Sequence, residues 1–181
     1  MKCQVTGLEL KRFSPEEVFP LQAVVEECGK HLLASLGLDH WVPPPPKEVM
    51  QKQASTKYVF GVLKNNLPIA TFTSGTHGWS KESIPLWMYP DKSALYLSRL
   101  AVLPKYQKQG LGSWCMKCAE EIKELGPVQT IRIDAHADHP KVIEFYKRLG
   151  YQERGTSIWM DWHSKERPLI LMEKDLASRS T

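Results

Sequence analysis

The sequence lacks an apolar run approaching the roughly 20 residues that a helix needs to cross a bilayer, so no membrane-spanning segment is expected. Its opening, MKCQVTGLELKRF, also lacks the apolar stretch of a secretory signal. Cysteine is scarce, at four residues (Cys3, Cys28, Cys115 and Cys118). With no export signal beside them, these read as reduced thiols of a cytoplasmic protein rather than a disulfide framework. The formal net charge is +4 and the sequence pI about 8.8, yet there is no dense Lys/Arg tract and no nucleic-acid signature. That mild excess suits an anionic ligand and leaves nucleic acid and membranes off the list of expected partners. Neither the G-x-x-x-x-G-K-[ST] phosphate loop nor the G-x-G-x-x-G dinucleotide fingerprint is present. Internal repeats and low-complexity tails are missing too, so the 181 residues are expected to form one domain over 1–181.

What is present is an ordinary globular balance, 42% hydrophobic and 24% charged, with readable elements. A first strand is expected over residues 3–12. Ser14, Pro15, Glu16 and Glu17 offer a helix start: a capping hydroxyl, an early proline and acids in the first turn. Val18, Leu21, Val24, Val25, Cys28, Leu32 and Leu36 follow at helical spacing, and Gly37 ends the helix. A second short helix is expected over 47–53. Strands over 58–64 and 67–74 meet at Asn65-Asn66, a tight hairpin turn. Residues 75–93 read as an irregular insertion. A buried strand runs from Leu95 to Leu103, and Leu111, Trp114, Cys115, Cys118, Ile122 and Leu125 set out a helix. A strand over 130–135 then precedes a helix that starts around Asp138-His139-Pro140 and stops before Gly150. Strands over 156–162 and 169–173 close the chain. This order predicts a mixed α/β (α+β) fold with helices on both faces of a mixed sheet.

The stretch YLSRLAVLPKYQKQGLG is the chemical centre of this pattern. A strand stops at Pro104, a basic glycine-bearing turn follows, and a helix begins. The first N–H groups of a helix have no intrahelical partner and carry the positive end of its dipole. With glycine letting the backbone come close, such a turn holds a pyrophosphate.

Gln107-Lys108-Gln109-Gly110-Leu111-Gly112 resembles the [RQ]-x-x-G-x-[GA] loop of the GNAT acyltransferases, which binds the pyrophosphate of acetyl-CoA. The strand YLSRLAV with Pro104 looks like that family's fourth strand, and Phe145-Tyr146-Lys147-Arg148-Leu149-Gly150-Tyr151 is similar to its F-Y-x-x-x-G-[FY] segment. The resemblance covers nearly the whole chain, from the first strand to ILMEKDL. It implies a GNAT-type acyl-CoA N-acyltransferase fold with a central, mostly antiparallel sheet. It also implies an acetyl-CoA-dependent N-acetyltransferase acting on a primary amine by direct attack in a ternary complex. Cofactor contacts would come from Gln107, Lys108, Gln109, Gly110, Leu111, Gly112 and Ser113, and from backbone groups of Leu100, Ala101 and Val102 along the pantetheine arm. Tyr146 would protonate the departing thiolate. Many relatives have Asn where this chain has His139, and Ala where it has Val142, so His139 either takes over the cofactor contact or caps the helix. The implied partners are acetyl-CoA and a small-molecule or peptide amine. Family members often pair through strands or helices, which leaves a homodimer open.

Relatives often place a basic carboxylate on the central strand, where this chain has Ser98 and Arg99. Glu82, His77 and His136 can act as bases by chemistry alone, and none is singled out. The missing base keeps a second function in view, a non-catalytic module that binds CoA or acyl-CoA. Trp114-Cys115-Met116-Lys117-Cys118 has the form of a thioredoxin site, but the strand order around it is wrong for one and the cysteines read as packing residues. Residues Asp134 to His139 resemble the metal motif of metallo-β-lactamase-like hydrolases without its first histidine, so no metal site is expected. Trp41, Trp79, Trp87, Trp159 and Trp162 are read mainly as core and loop packing.

Overall fold

The computed structural model describes residues 3–76, 86–122 and 127–176. Its elements run β1 (Leu8–Phe13), α1 (Phe19–Leu36), α2 (Lys47–Thr56), β2 (Tyr58–Lys64), β3 (Leu67–Gly75), β4 (Ala94–Val102), a 3-10 turn (Pro104–Tyr106), α3 (Leu111–Glu120), β5 (Thr130–His136), α4 (Pro140–Arg148), β6 (Gln152–Met160) and β7 (Glu166–Asp175). The order of strands and helices is the one expected from the sequence. The seven strands are mixed in direction and mostly antiparallel. No helix among the described residues is long and apolar enough to cross a membrane.

The chain forms two compact units, residues 1–74 with 99–121, and 75–98 with 122–181. In the first, strands follow the order β1-β2-β3-β4. Asn65 and Asn66 both have positive φ, 51° and 62°, which gives the β2–β3 turn the twist a two-residue hairpin needs. Phe13, Val18, Leu21, Met50, Ala54, Val59 and Leu63 form a buried cluster that packs α1 and α2 on the sheet. Gly61 of β2 makes this approach feasible, since a Cβ there would sit 2.6 Å from the Phe13 ring and 2.8 Å from Leu21. Gly61→Ala is therefore expected to cost about 1–3 kcal/mol by overpacking, measured as a shift in denaturant midpoint at constant m.

The start of α1 differs from expectation. Residues 15–17 form a turn, and the helix begins at Phe19 with Pro20 in its first turn. The Glu17 carboxylate accepts from the Ser14 N–H at 3.2 Å and from Lys11 Nζ at 2.8 Å, so the expected cap serves as a tether. Gly37 ends the helix in the left-handed conformation (φ 71°), as expected of a C-terminal glycine.

In the second unit the strand order is β4-β5-β7-β6. β4 and β5 are parallel, but their pairing covers only Ala94↔Thr130 to Leu97↔Ile133. β5 continues against β7 as far as His136↔Leu169. Asp134, Ala135 and His136 thus extend beyond the β4 pairing. The last strands are longer than the expected 156–162 and 169–173, and the hairpin between them turns at residues 161–165. Asp161 fixes that turn: its Oδ1 accepts from the N–H groups of His163 (2.8 Å) and Lys165 (3.0 Å), its Oδ2 from Arg167 Nε (2.8 Å). Burial pushes the Asp161 carboxyl up, but the Lys165 N–H, Arg167 and the His163 N–H together hold it below its usual range.

Candidate functional site

The glycine turn lies where the sequence puts it. Gln107 is extended, Lys108 takes a positive φ of 59°, and Gly110 sits in the left-handed region at φ 84° as the N-cap of α3. A side chain at Gly110 would be strained, so glycine is required there for geometry. Trp114 N–H donates to Gly110 O at 3.0 Å and closes the first helical turn. The N–H groups of Leu111, Gly112 and Ser113 precede that bond, and no side chain caps this end. The turn is held from within and from the N-terminal segment. Gln107 Nε2 donates to Val102 O (2.9 Å), Gln109 Nε2 donates to Lys105 O (2.7 Å), and Gln4 N–H donates to Gln109 O (2.8 Å). Lys105 and Lys108 remain exposed beside it, and no acid lies in the first turn of α3. The arrangement is a pre-formed, electropositive cradle of backbone donors.

The strand leading into it presents one edge of its backbone. Leu103 N–H donates to Ile69 O of β3 at 3.0 Å. Backbone groups alternate between the two edges of a strand, so Ala101 faces β3 while Leu100 and Val102 face the opposite edge. Val102 O accepts from Cys28 Sγ (3.2 Å) as well as from Gln107. Arg99, just before these residues, has φ 53°. That kink was not legible in YLSRLAV, and its side chain donates to Gln53 of α2.

In the other unit, Tyr146 is the single buried residue of α4. Its ring packs against Phe145 (5.1 Å) and Tyr151 (5.8 Å). Burial, and then the negative charge of Asp134, push its phenol well above the usual range, so it stays protonated. The N-cap position of α4 is His139 rather than Asp138. The Asp138 side chain does not cap the helix, and its N–H donates to His136 Nδ1 at 3.4 Å. Among the described residues His139 Nδ1 is buried without a hydrogen-bond partner, and burial, aided by His136 and Lys141, lowers its pKa and keeps the ring neutral.

The thioredoxin-like cysteines are inert. Cys115 is fully buried and Cys118 half-buried, and burial pushes both thiols up, away from thiolate. α3 ends at Glu120, short of the expected Ile122, and Leu125 lies outside the described residues, as do His77, Trp79 and Glu82. Trp159 and Trp162 meet edge to face at 5.0 Å on the β6–β7 hairpin. Sequence reasoning missed the buried Arg132. Its Nε donates to Glu173 Oε1 (3.0 Å), and its Nη atoms donate to Tyr96 Oη and Tyr89 O, both at 2.6 Å. Trp87, one of the expected packing tryptophans, lies 4.9 Å from its guanidinium. A polar pair inside two strands leaves only a broken alternation in the sequence.

Known proteins resemble this chain in sequence and in fold. The model of the acetyltransferase (GNAT) domain matches residues 60–153. An uncharacterized N-acetyltransferase of Bacillus subtilis, YesJ, is 36% identical over 65 residues, and the match spans 36% of each chain. Among solved structures, an acetyltransferase from Thermus thermophilus has a TM-score of 0.64 at 16% identity, covering 97% of this chain and all of its own. A GNAT family acetyltransferase from Elizabethkingia anophelis with acetyl-CoA bound has a TM-score of 0.62 at 14% identity, over 95% of this chain and 100% of its own. The PaiA N-acetyltransferase of Thermoplasma acidophilum, in complex with coenzyme A, has a TM-score of 0.65 at 17% identity, over 93% of this chain and 98% of its own. At these identities the structural likeness is one of fold.

Proposed function

The chain belongs to the GNAT acetyltransferase family and, from that premise, we propose that it moves the acetyl group of acetyl-CoA onto a primary amine by direct attack within a ternary complex. The observation that carries the reading is the uncapped N-terminus of α3 behind left-handed Gly110. The pyrophosphate is taken by the N–H groups of Leu111, Gly112 and Ser113, with Gln107, Lys108 and Gln109 shaping the turn and the lysine adding charge. The pantetheine arm pairs with the outward-facing backbone of Leu100 and with the Val102 N–H, the Val102 carbonyl being taken by Cys28 and Gln107, and Ala101 is buried between them. His139, neutral and with a buried nitrogen unpartnered, offers a further contact to the cofactor.

In the transfer step the neutral amine attacks the thioester carbonyl, and its C–N bond forms as the C–S bond breaks. The Val102 N–H polarises the carbonyl oxygen. The electron pair leaves on sulfur, and Tyr146 supplies the proton that makes free CoA thiol. The amine's own proton is lost to water. Residues 1–181 act as one catalytic domain in the cytoplasm, where the four free thiols stay reduced. The acceptor is a small molecule or a peptide.

The test is thiol release from acetyl-CoA against a panel of amines, polyamines, aminoglycosides, amino acids and peptides. Turnover with one class supports the reading, whereas CoA binding without turnover across the panel would favour a regulatory binding module. Ser113→Asp probes the cradle separately. An acid in the first turn suits the helix dipole, so the melting temperature should hold. The same charge repels a bound phosphate, and the KM for acetyl-CoA should rise about tenfold or more.

A further inference from the structure

Within the second unit a cavity of about 320 Å³, open to solvent, lies at the start of β4 and β5. That volume falls at the low end of small-molecule sites, about 300–1,000 Å³. Lys92, Tyr96 and Arg132 form its polar wall, and Pro90, Pro127 and Val128 its apolar one. Among the described residues the lining holds no carboxylate. The acids that pair with its cations lie outside it: Glu173 Oε1 accepts from Arg132 Nε at 3.0 Å, and Asp175 Oδ2 from Lys92 Nζ at 2.8 Å. Arg154 Nε also faces Glu173, at 3.4 Å from Oε2. Three cations therefore share two carboxylates in this group, and one positive charge is in excess. The donors of the polar wall are not used up either. A guanidinium carries five N–H groups and an ammonium three. Arg132 donates through one N–H each to Glu173, Tyr96 Oη and Tyr89 O, which leaves one on each terminal nitrogen without an acceptor among the described residues. Tyr96 Oη accepts from Arg132, and among the described residues its own proton meets no acceptor. The Arg132 side chain is only 4% exposed and is held at three points, so the wall is built before any ligand arrives.

We propose that this cavity binds a small organic acid, its carboxylate held by Lys92, the Tyr96 hydroxyl and Arg132, its apolar body by Pro90, Pro127 and Val128. A carboxylate accepts several hydrogen bonds at once, and it brings the negative charge that the ion-pair group lacks. An inorganic anion would satisfy the donors but leave the apolar wall wet. A neutral ligand would leave the excess charge uncompensated. The site is separate from the acetyl-transfer machinery. Tyr96 stands near the first residue of β4, whereas the backbone assigned to the cofactor closes that strand at Leu100 to Val102.

The probes are isovalerate and benzoate, with isovaleramide, benzamide and inorganic phosphate as controls, titrated into the whole protein with and without CoA and followed by amide chemical shifts. Both acids should shift Ser93, Tyr96 and Val128 saturably and raise the melting temperature. Lys92→Gln should weaken binding about tenfold, the loss that goes with one hydrogen bond to a charged group. Lys92 and Asp175 are both partly exposed, so parting them leaves the chain folded. Val128→Asp touches none of the ion pairs and sets a carboxylate in the wall, so it should abolish binding. The absence of any saturable shift would overturn the proposal, as would undiminished binding in both variants. Equal shifts with the two amides would mean an apolar crevice, and equal shifts with inorganic phosphate an adventitious ion only; either result sinks the organic-acid site. Shifts confined to Gly110 to Ser113 and abolished by CoA would put the acid in the cofactor cradle and overturn it too. The titration needs no turnover and runs equally on a chain that fails to bind CoA, so its outcome is independent of the acetyl-transfer reading.

Discussion

Tyr146→Phe is expected to lower kcat by roughly 10²–10⁴-fold, the range for loss of a positioned general acid, with acetyl-CoA binding almost unchanged. The ring is packed between Phe145 and Tyr151, and Phe keeps those contacts. What the variant loses is the hydroxyl and its proton. A structural role would show instead as lost stability, so the melting temperature is the control. The pH profile gives a second readout. Burial and Asp134 raise the phenol pKa above its ordinary value of about 10. A raised pKa keeps the acid form populated as pH climbs, so the rate should rise as the acceptor amine deprotonates, with no fall assignable to Tyr146 in the ordinary alkaline range. The stability linkage has the matching sign. Below the unfolded value both states hold the proton and burial of the phenol carries no pH dependence; above it the unfolded chain ionises first, and stability falls as pH rises. A basic limb that appears near neutrality and vanishes in Tyr146→Phe would contradict the acid assignment.

The sequence made the α3 turn and the order of elements legible because both rest on local chemistry. Gly110 must adopt a positive φ, Pro104 must stop a strand, and Asn65-Asn66 must turn tightly; each signal lies within a few residues. Legibility failed where two local signals competed. Ser14-Pro15-Glu16-Glu17 and Phe19-Pro20 both offer a helix start, and burial of Val18 and Leu21 against Phe13 decided for the second. Asp138 and His139 both precede Pro140, and the proline took its N1 position with His139 before it. The kink at Arg99 and the end of β4–β5 pairing at Leu97 are properties of partner strands, which no stretch of YLSRLAV encodes alone. The same holds for Arg132 and Glu173, which lie 41 residues apart in the chain and opposite each other across β5 and β7.

That pair carries the largest stability prediction. Glu173 is fully buried, and it holds Arg132 through Oε1 while Oε2 accepts from the Met88 N–H at 2.9 Å and faces Arg154 Nε at 3.4 Å. Glu173→Gln keeps the volume and removes the only negative charge in the contact. Arg132 is then left as a buried cation with its aromatic neighbours Trp87 and Tyr96, which compensate a desolvated cation only in part. Breaking one side of a buried ion pair costs about 3–5 kcal/mol. For a chain of this size that corresponds to a fall in Tm of roughly 6–20 °C. Arg132→Met alone should cost less, because Arg154 still faces the carboxylate. Combining Arg132→Met with Glu173→Leu should recover part of the loss, since two apolar side chains of similar volume remove both desolvation costs together. The coupling energy from the cycle of Arg132→Met, Glu173→Leu and their combination, measured by denaturant unfolding, is the decisive quantity. Strict additivity would mean that Glu173 stabilises the unit through the Met88 N–H rather than through the arginine.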